Sequence, residues 1–381
     1  VNVVGYGNNI VNIVSSTVQG GSDIDAAGLV DISAENSSMI RALGIGVAGG
    51  PVGVGVMAAG NLIVNTVDAT VDGSSITSGT TLDVTALSDA DILSLTGGVA
   101  AGAVGVHVSL SANIITGFAT AEVLSGSVLE SGGAMTVEAT NSSTIDVLSF
   151  GVAAGGVGVG VALSANVIVN TTEAIISGST ITDAGSLDVL SSSSPIIRSL
   201  AVNVGAGAVA VNVSALGNVI TSHNRATIED SDVTTTGSIS VSAQDLAPNI
   251  IPDWIVPAQY QDTLDDILAD SPLALEGHII SATVNVAGGG VAVNVPLVGN
   301  LIVNTTEALI DNSDVESTAG DIAVTALSST GIMALNVGVA GGGVAVNVVG
   351  YGNNIDNIVS STVQGGSDID AAGLVDISAE N

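Results

Sequence analysis

The sequence predicts an all-β fold, a parallel β-solenoid (β-helix) of about 52-residue repeats with one short helical insertion, and three observations lead there. An Asn-x-aliphatic motif recurs at Asn8, Asn61, Asn113, Asn166, Asn218, Asn300 and Asn353, at spacings of 53, 52, 53, 52, 82 and 53 residues. Larger and smaller residues alternate, as in Val157-Gly-Val-Gly-Val-Ala-Leu163, which is the period of a strand. Short Ser/Thr/Asp-rich segments with Gly corners keep the same register, as stacked coils require.

Each repeat divides into two halves. The first holds short strands between tight turns, as at Ala174-Ile-Ile, Ser179-Thr-Ile and Leu187-Asp-Val. Its Ser column (Ser22, Ser74, Ser127, Ser179, Ser231, Ser313) precedes an aliphatic residue by two, and its Gly column (Gly28, Gly79, Gly133, Gly185, Gly237, Gly320) follows within a few residues. The second half holds two longer alternating strands around a Gly/Ala turn, as from Ser199 to Val213. The alternation is expected to turn the large aliphatics inward and the acids outward. Two coils of about 26 residues or one of about 52 fit each repeat; no similarity at the shorter period is present, so one large coil is expected. At about 4.8 Å per coil, six coils advance about 29 Å, against about 58 Å for the two-coil alternative.

Val1–Asn36 recurs as Val346–Asn381 with Val11 replaced by Asp356 as the only difference, which defines a 345-residue unit and reads as a segment of a longer tandem array. Solenoid repeats are expected over 1–246 and 277–381, with residues 346–381 beginning the next copy, and an insertion over 247–276. From Gln244 to Glu276 there is no glycine, and four of the seven prolines fall there. Tyr260, Leu264, Ile267 and Leu268 recur at helical spacing, so a short amphipathic helix is expected, ended at Ser271-Pro272. With the sole Trp, Trp254, these four form the candidate partner-binding surface; covering the flank of their own coil is the structural alternative.

The chain has 381 residues, no cysteine, no lysine, three arginines and a formal charge of −33, yet 46% of it is hydrophobic. The apolar content argues against disorder. Disulfides, thiolate nucleophiles, Schiff bases and phosphate loops are excluded by the missing residue types. Three cations against thirty-six acids exclude nucleic acid as a partner. Aromatics at 2% lack the girdles of an outer-membrane barrel, and 49 glycines argue against helices, so no membrane span is expected.

A polar side chain recurring in register can bond its copy above and below, so the Asn column is expected to be a structural amide ladder. Counting by repeats places Arg225 in the series Asp68, Thr120, Glu173, Arg225, Glu307, between two glutamates. Calcium has one candidate site, Asp23 and Asp25 in Gly20-Gly-Ser-Asp-Ile-Asp25, a fragment of the Gly/Asp calcium pattern that does not recur in the other repeats; a solvated anionic face is the structural alternative, and no other cofactor is expected. β-Helices also carry lyases and glycosidases. A lyase needs cations that this chain lacks, and a sugar site is usually lined by aromatics, so no catalytic residue is assigned.

The pattern Gly-Gly-Val-Ala-Val-Asn-Val, Gly-Asn-Leu-Ile-Val-Asn-Thr-Thr-Glu-Ala-Leu-Ile-Asp-Asn-Ser-Asp-Val, Gly-Asp-Ile-Ala-Val-Thr-Ala within 288–326, repeated at 155–189, resembles the repeats of giant bacterial filamentous adhesins of the filamentous-haemagglutinin and leukotoxin type. The resemblance covers every repeat except the insertion. It implies export to the cell surface, a long β-helical shaft and a role in attachment or matrix, with the chain itself, through tandem continuation and lateral fibre contacts, and the cell surface or matrix as partners. An amyloid-like matrix fibre assembled from separate subunits is the alternative.

Overall fold

The computed structural model describes residues 1–248 and 277–381. The insertion helix expected with Trp254, Tyr260, Leu264, Ile267 and Leu268 lies outside them. Among the described residues the chain is all β, and every strand pairing is parallel. The sequence period is also the pairing period. Asn8 pairs with Asn61, Asn61 with Asn113, Asn113 with Asn166, Asn166 with Asn218, Asn218 with Asn300 and Asn300 with Asn353. Each repeat is therefore one large coil, and the wider step across the insertion leaves the register intact.

Every coil has a three-sided head and a long flat arm. One complete turn shows the construction: the strand Leu82–Leu124 runs out along the arm and back, Val128–Ser131 forms the short third side of the head, and Ala134–Ser177 begins the next turn. Inside the head, alternate residues of all three sides meet in one apolar cluster, with Ala121, Val123, Leu129, Met135 and Val137 fully buried. Here the aliphatics face inward as the alternation predicts. Deeper in, two columns made wholly of isoleucine face each other: Ile40, Ile92, Ile145, Ile197 and Ile279 on one wall, Ile63, Ile115, Ile168, Ile220 and Ile302 on the other.

The arm reverses the expected orientation. In Val157–Leu163 the glycines and Ala162 are buried, and the valines and Leu163 lie on the outside. The reason is the distance between the two walls. A Cβ built on Gly158 would lie 2.8 Å from the carbonyl oxygen of Ala153 on the opposite wall, and one on Gly105 would lie 2.7 Å from that of Ala100. At that register every coil has glycine or alanine (Gly53, Gly105, Gly158, Ala210, Ala292), and because side chains alternate along a strand the valines on either side take the outer face.

The head's first corner is left-handed in every coil. The column Gly20, Gly73, Ser125, Gly178, Asp230, Asn312, Gly365 has positive φ throughout, between 47° and 74°. Asn and Asp tolerate this region; serine carries a Cβ clash worth about 1 kcal/mol. Ser125→Gly is expected to raise stability by about 0.5–1 kcal/mol, read as a higher melting temperature. A loss on substitution would refute this account of the corner.

Candidate functional site

The recurring polar residues converge on the interior of the coils. The Asn column lies just beyond the isoleucine pair, and each side-chain amide donates to the amide oxygen of the next coil. Nδ2 to Oδ1 distances are 2.8 Å for Asn8 to Asn61, 2.7 Å for Asn61 to Asn113, and 2.8 Å for Asn113 to Asn166, Asn166 to Asn218, Asn218 to Asn300 and Asn300 to Asn353. Serines complete the second amide hydrogen: Asn113 also donates to Ser111, Asn218 to Ser199 and Asn300 to Ser281, at 2.9–3.0 Å. An amide has two donors and an acceptor with two lone pairs, so an interior position satisfies it along the axis and across the coil at once. Asn113, Asn166 and Asn218 are at most 1% exposed.

The Ser column works at the first corner of the head. Each hydroxyl donates to a carbonyl two or three residues back, as Ser22 does to Gln19 at 2.7 Å and Ser231 to Glu229 at 2.6 Å. It accepts the backbone N–H of the serine one coil earlier, at 3.2 Å for Ser22 onto Ser74, Ser179 onto Ser231, Ser231 onto Ser313 and Ser313 onto Ser367. The corner's unpaired backbone groups are thereby joined between coils.

Another polar column escaped the sequence reading. Asn12, Asn65, Gly117, Asn170, Ser222, Asn304 and Asn357 stack four residues beyond the ladder and fill the neck between head and arm. Asn12 donates to Asn36 and Ser38 across the coil at 2.9 Å, and Ser143 to Asn170 at 3.1 Å. At Gly117 the Asn141 side chain from the opposite wall takes the vacated space. Next to the insertion, this neck holds Asp245 and His278, both fully buried, with a carboxylate oxygen 3.4 Å from Nε2 and Asn304 donating to the same carboxylate. The signal was a second Asn at constant offset from the first in most of the repeats.

Charges stay outside, apart from that pair. Arg198 makes a bidentate pair with Asp146 of the preceding coil at 2.6 and 3.1 Å, a contact legible only as a 52-residue spacing. Arg225 lies 3.6 Å from Glu307 and 3.8 Å from Glu229. Its column is as counted, but Glu173 faces His223 at 3.8 Å instead, so Arg225 pairs with one of its two column neighbours. Asp23 and Asp25 are exposed on the short strand Asp23–Ala26, and no group of three or more metal-ligating side chains is present among the described residues.

Burial raises the pKa values of Asp68, Asp91, Glu122 and Asp188, and for Glu122 the neighbouring Glu173 and Asp68 raise it further. It lowers that of His107, whose ring sits inside the arm between Gly55 and Gly160 of the coils on either side, against the smaller opposing effect of the Phe150 backbone. A carboxyl raised in the folded state contributes stability at acid pH that is lost as pH rises through its folded value. A lowered imidazole contributes stability near neutrality that is lost as pH falls below about 6.5. The imidazole acts as pH falls below about 6.5 and the carboxyls nearer their ordinary range around 4. From pH 7.5 to pH 5 the melting temperature of the wild type is therefore expected to lose ground relative to that of His107→Asn. A fall that His107→Asn leaves unchanged would contradict this assignment.

Among the described residues no helix is long and apolar enough to cross a membrane. No known protein-family profile, characterised protein or solved structure matches the chain.

Proposed function

We propose that the chain is a structural segment of a giant extracellular tandem-repeat fibre, a surface filament, adhesin shaft or matrix fibre, that acts by the stacking of its coils and by lateral contact, and that it does no chemistry. One observation carries the reading. The 36-residue copy at Val346–Asn381, identical to Val1–Asn36 at 35 positions, takes its place as the next turn of the same stack, with Asn353 on Asn300, Ile369 on Val315 and Val375 on Ile322. Coils of this kind add nearest-neighbour stability without a fixed end, which suits a material extended by repetition. The asparagine ladder and the serine column are engaged along the axis, as a shaft requires, and the acidic exterior keeps a β-rich rod from aggregating through its charged columns.

Electrophoresis of the native material after complete denaturation tests the covalent fibre. One very large chain is expected; a ladder beginning at roughly 35 kDa would replace this reading with assembly from separate subunits.

A further inference from the structure

The outer face of the returning arm wall is paved with valine. The column Val54, Val106, Val159, Val211, Val293, Val346 is valine in all six coils, and so are the columns two residues to either side of it, through Val209 and Val213. At the edge of the face Val52 is 58% and Val344 56% exposed, and Val291 in mid-stack is 36% exposed. On the head, the outward column Asp31, Asp83, Thr136, Asp188, Ser240, Ala323, Asp376 is polar at every position but Ala323. The same chain therefore places polar residues on one exterior and aliphatics on another. An apolar face that grows with each coil is far more than a scatter of surface valines.

We propose that this face binds the same face of a second copy, so that two fibres pair side by side along their arms. Charge selects the occupant. From Val52 to Val67, and over the matching segments 104–119, 157–172, 209–224 and 291–306, no Asp, Glu, Lys or Arg occurs, and the sixth, 344–359, carries Asp356 alone, while the whole chain carries −33. Two copies can approach only through a surface free of that charge. A lipid surface fits poorly: the face has none of the Trp, Tyr, Lys or Arg anchors of a membrane interface, and the acidic chain is repelled by anionic headgroups. Area accumulates coil by coil, so about 800 Å² per partner, the size of a stable interface, is reached by length.

The relief of the face sets the polarity of the pair. Beside the valine columns runs an axial groove, 420 Å³ in the stretch bounded by Leu110, Leu163 and Leu216, with Gly60, Ala112, Ala165, Gly217 and Gly299 stacked along its floor. A Cβ on Gly60 or Gly299 would meet nothing within 4 Å, and neither has a left-handed φ, so the fold itself does not require glycine there. Ridge and groove lie side by side on one face. A two-fold axis parallel to the fibre exchanges left and right and seats each ridge in the partner's groove, whereas a two-fold across the fibre sets ridge on ridge. Paired fibres therefore run in the same direction.

This deepens the fibre reading and rests on it for the length of the face. The test measures the mass and association of the 381-residue chain by sedimentation velocity, for wild type and for Gly60→Val/Gly299→Val. Wild type is expected to form a dimer of the 36.8 kDa chain, with tags at the chain's beginning close to one another in the pair. The variant is more apolar and keeps its melting temperature, yet is expected to associate about tenfold more weakly or less. Monomers at every concentration would overturn the pairing and leave the fibre standing; a chain whose circular dichroism is not that of β-sheet would overturn both. Equal or stronger association of the variant, tags at opposite ends of the pair, or binding to neutral phosphatidylcholine vesicles in place of pairing would each overturn the proposal.

Discussion

Asn166→Ala is expected to destabilise the stack by about 2–4 kcal/mol, whereas Asn8→Ala, the same substitution at the open end of the ladder, should cost about 1 kcal/mol or less. Asn166 is 1% exposed, receives Asn113 at 2.8 Å and donates to Asn218 at 2.8 Å. Its removal takes away both bonds and leaves the Asn218 oxygen buried without the donor that held it. The Asn113 amide nitrogen keeps only its bond to Ser111. Because each coil touches only its neighbours, a break in mid-stack divides the cooperative unit, so unfolding in denaturant should broaden or separate into two transitions. Combining Asn113→Ala with Asn166→Ala should cost less than the sum, since the two substitutions share one bond. A mid-ladder loss no larger than that of Asn8→Ala would mean that the ladder adds no more than the backbone pairing already supplies.

The ladder, the serine column and the coil period were legible because each is a residue type recurring at constant spacing, and a parallel stack converts spacing directly into contact. The direction of the arm was not. Alternation shows that a strand has two faces and leaves open which of them is inside, and the usual assumption places the larger residue there. It holds in the head, where Val123, Leu129 and Val137 enclose a wide triangle. It fails at Val157–Leu163 because the facing wall comes within 2.8 Å of a Cβ placed on Gly158, a separation set by how the chain returns on itself and not by any property of one strand. The neck column was missed for another reason. At Gly117 and Ser222 the repeating asparagine is replaced, and at Gly117 the compensation comes from Asn141 on the opposite wall, beyond the reach of a single-column count.

Gly289→Ala should destabilise the fold by about 3 kcal/mol or more, while Gly288→Ala, one residue earlier, should change it by less than about 0.5 kcal/mol. The two glycines differ in what lies beneath them. At the arm tip Gly102, Gly155, Gly207, Gly289 and Gly342 stack so closely that a Cβ on each would run into the carbonyl oxygen of the glycine one coil below: Gly50, Gly102, Gly155, Gly207 and Gly289 respectively. A Cβ on Gly288 meets nothing within 4 Å. Relief of the Gly289 clash requires the tip to lift away from the coil beneath, and the parallel pairing continues on both sides of the turn, from Gly205 with Ala287 to Val209 with Val291. Lifting the tip therefore breaks backbone hydrogen bonds of both walls at once. No side-chain rotation offers a cheaper escape, because the obstructing atom belongs to the backbone. Thermal melts of the two single variants measure the difference, and hydrogen exchange should place the loss of protection in the arms of the adjoining coils while the head remains protected. Equal melting temperatures for the two variants would show that the tip is free to open. The constant spacing of the walls from coil to coil, and with it the outward valine face, would then need another cause.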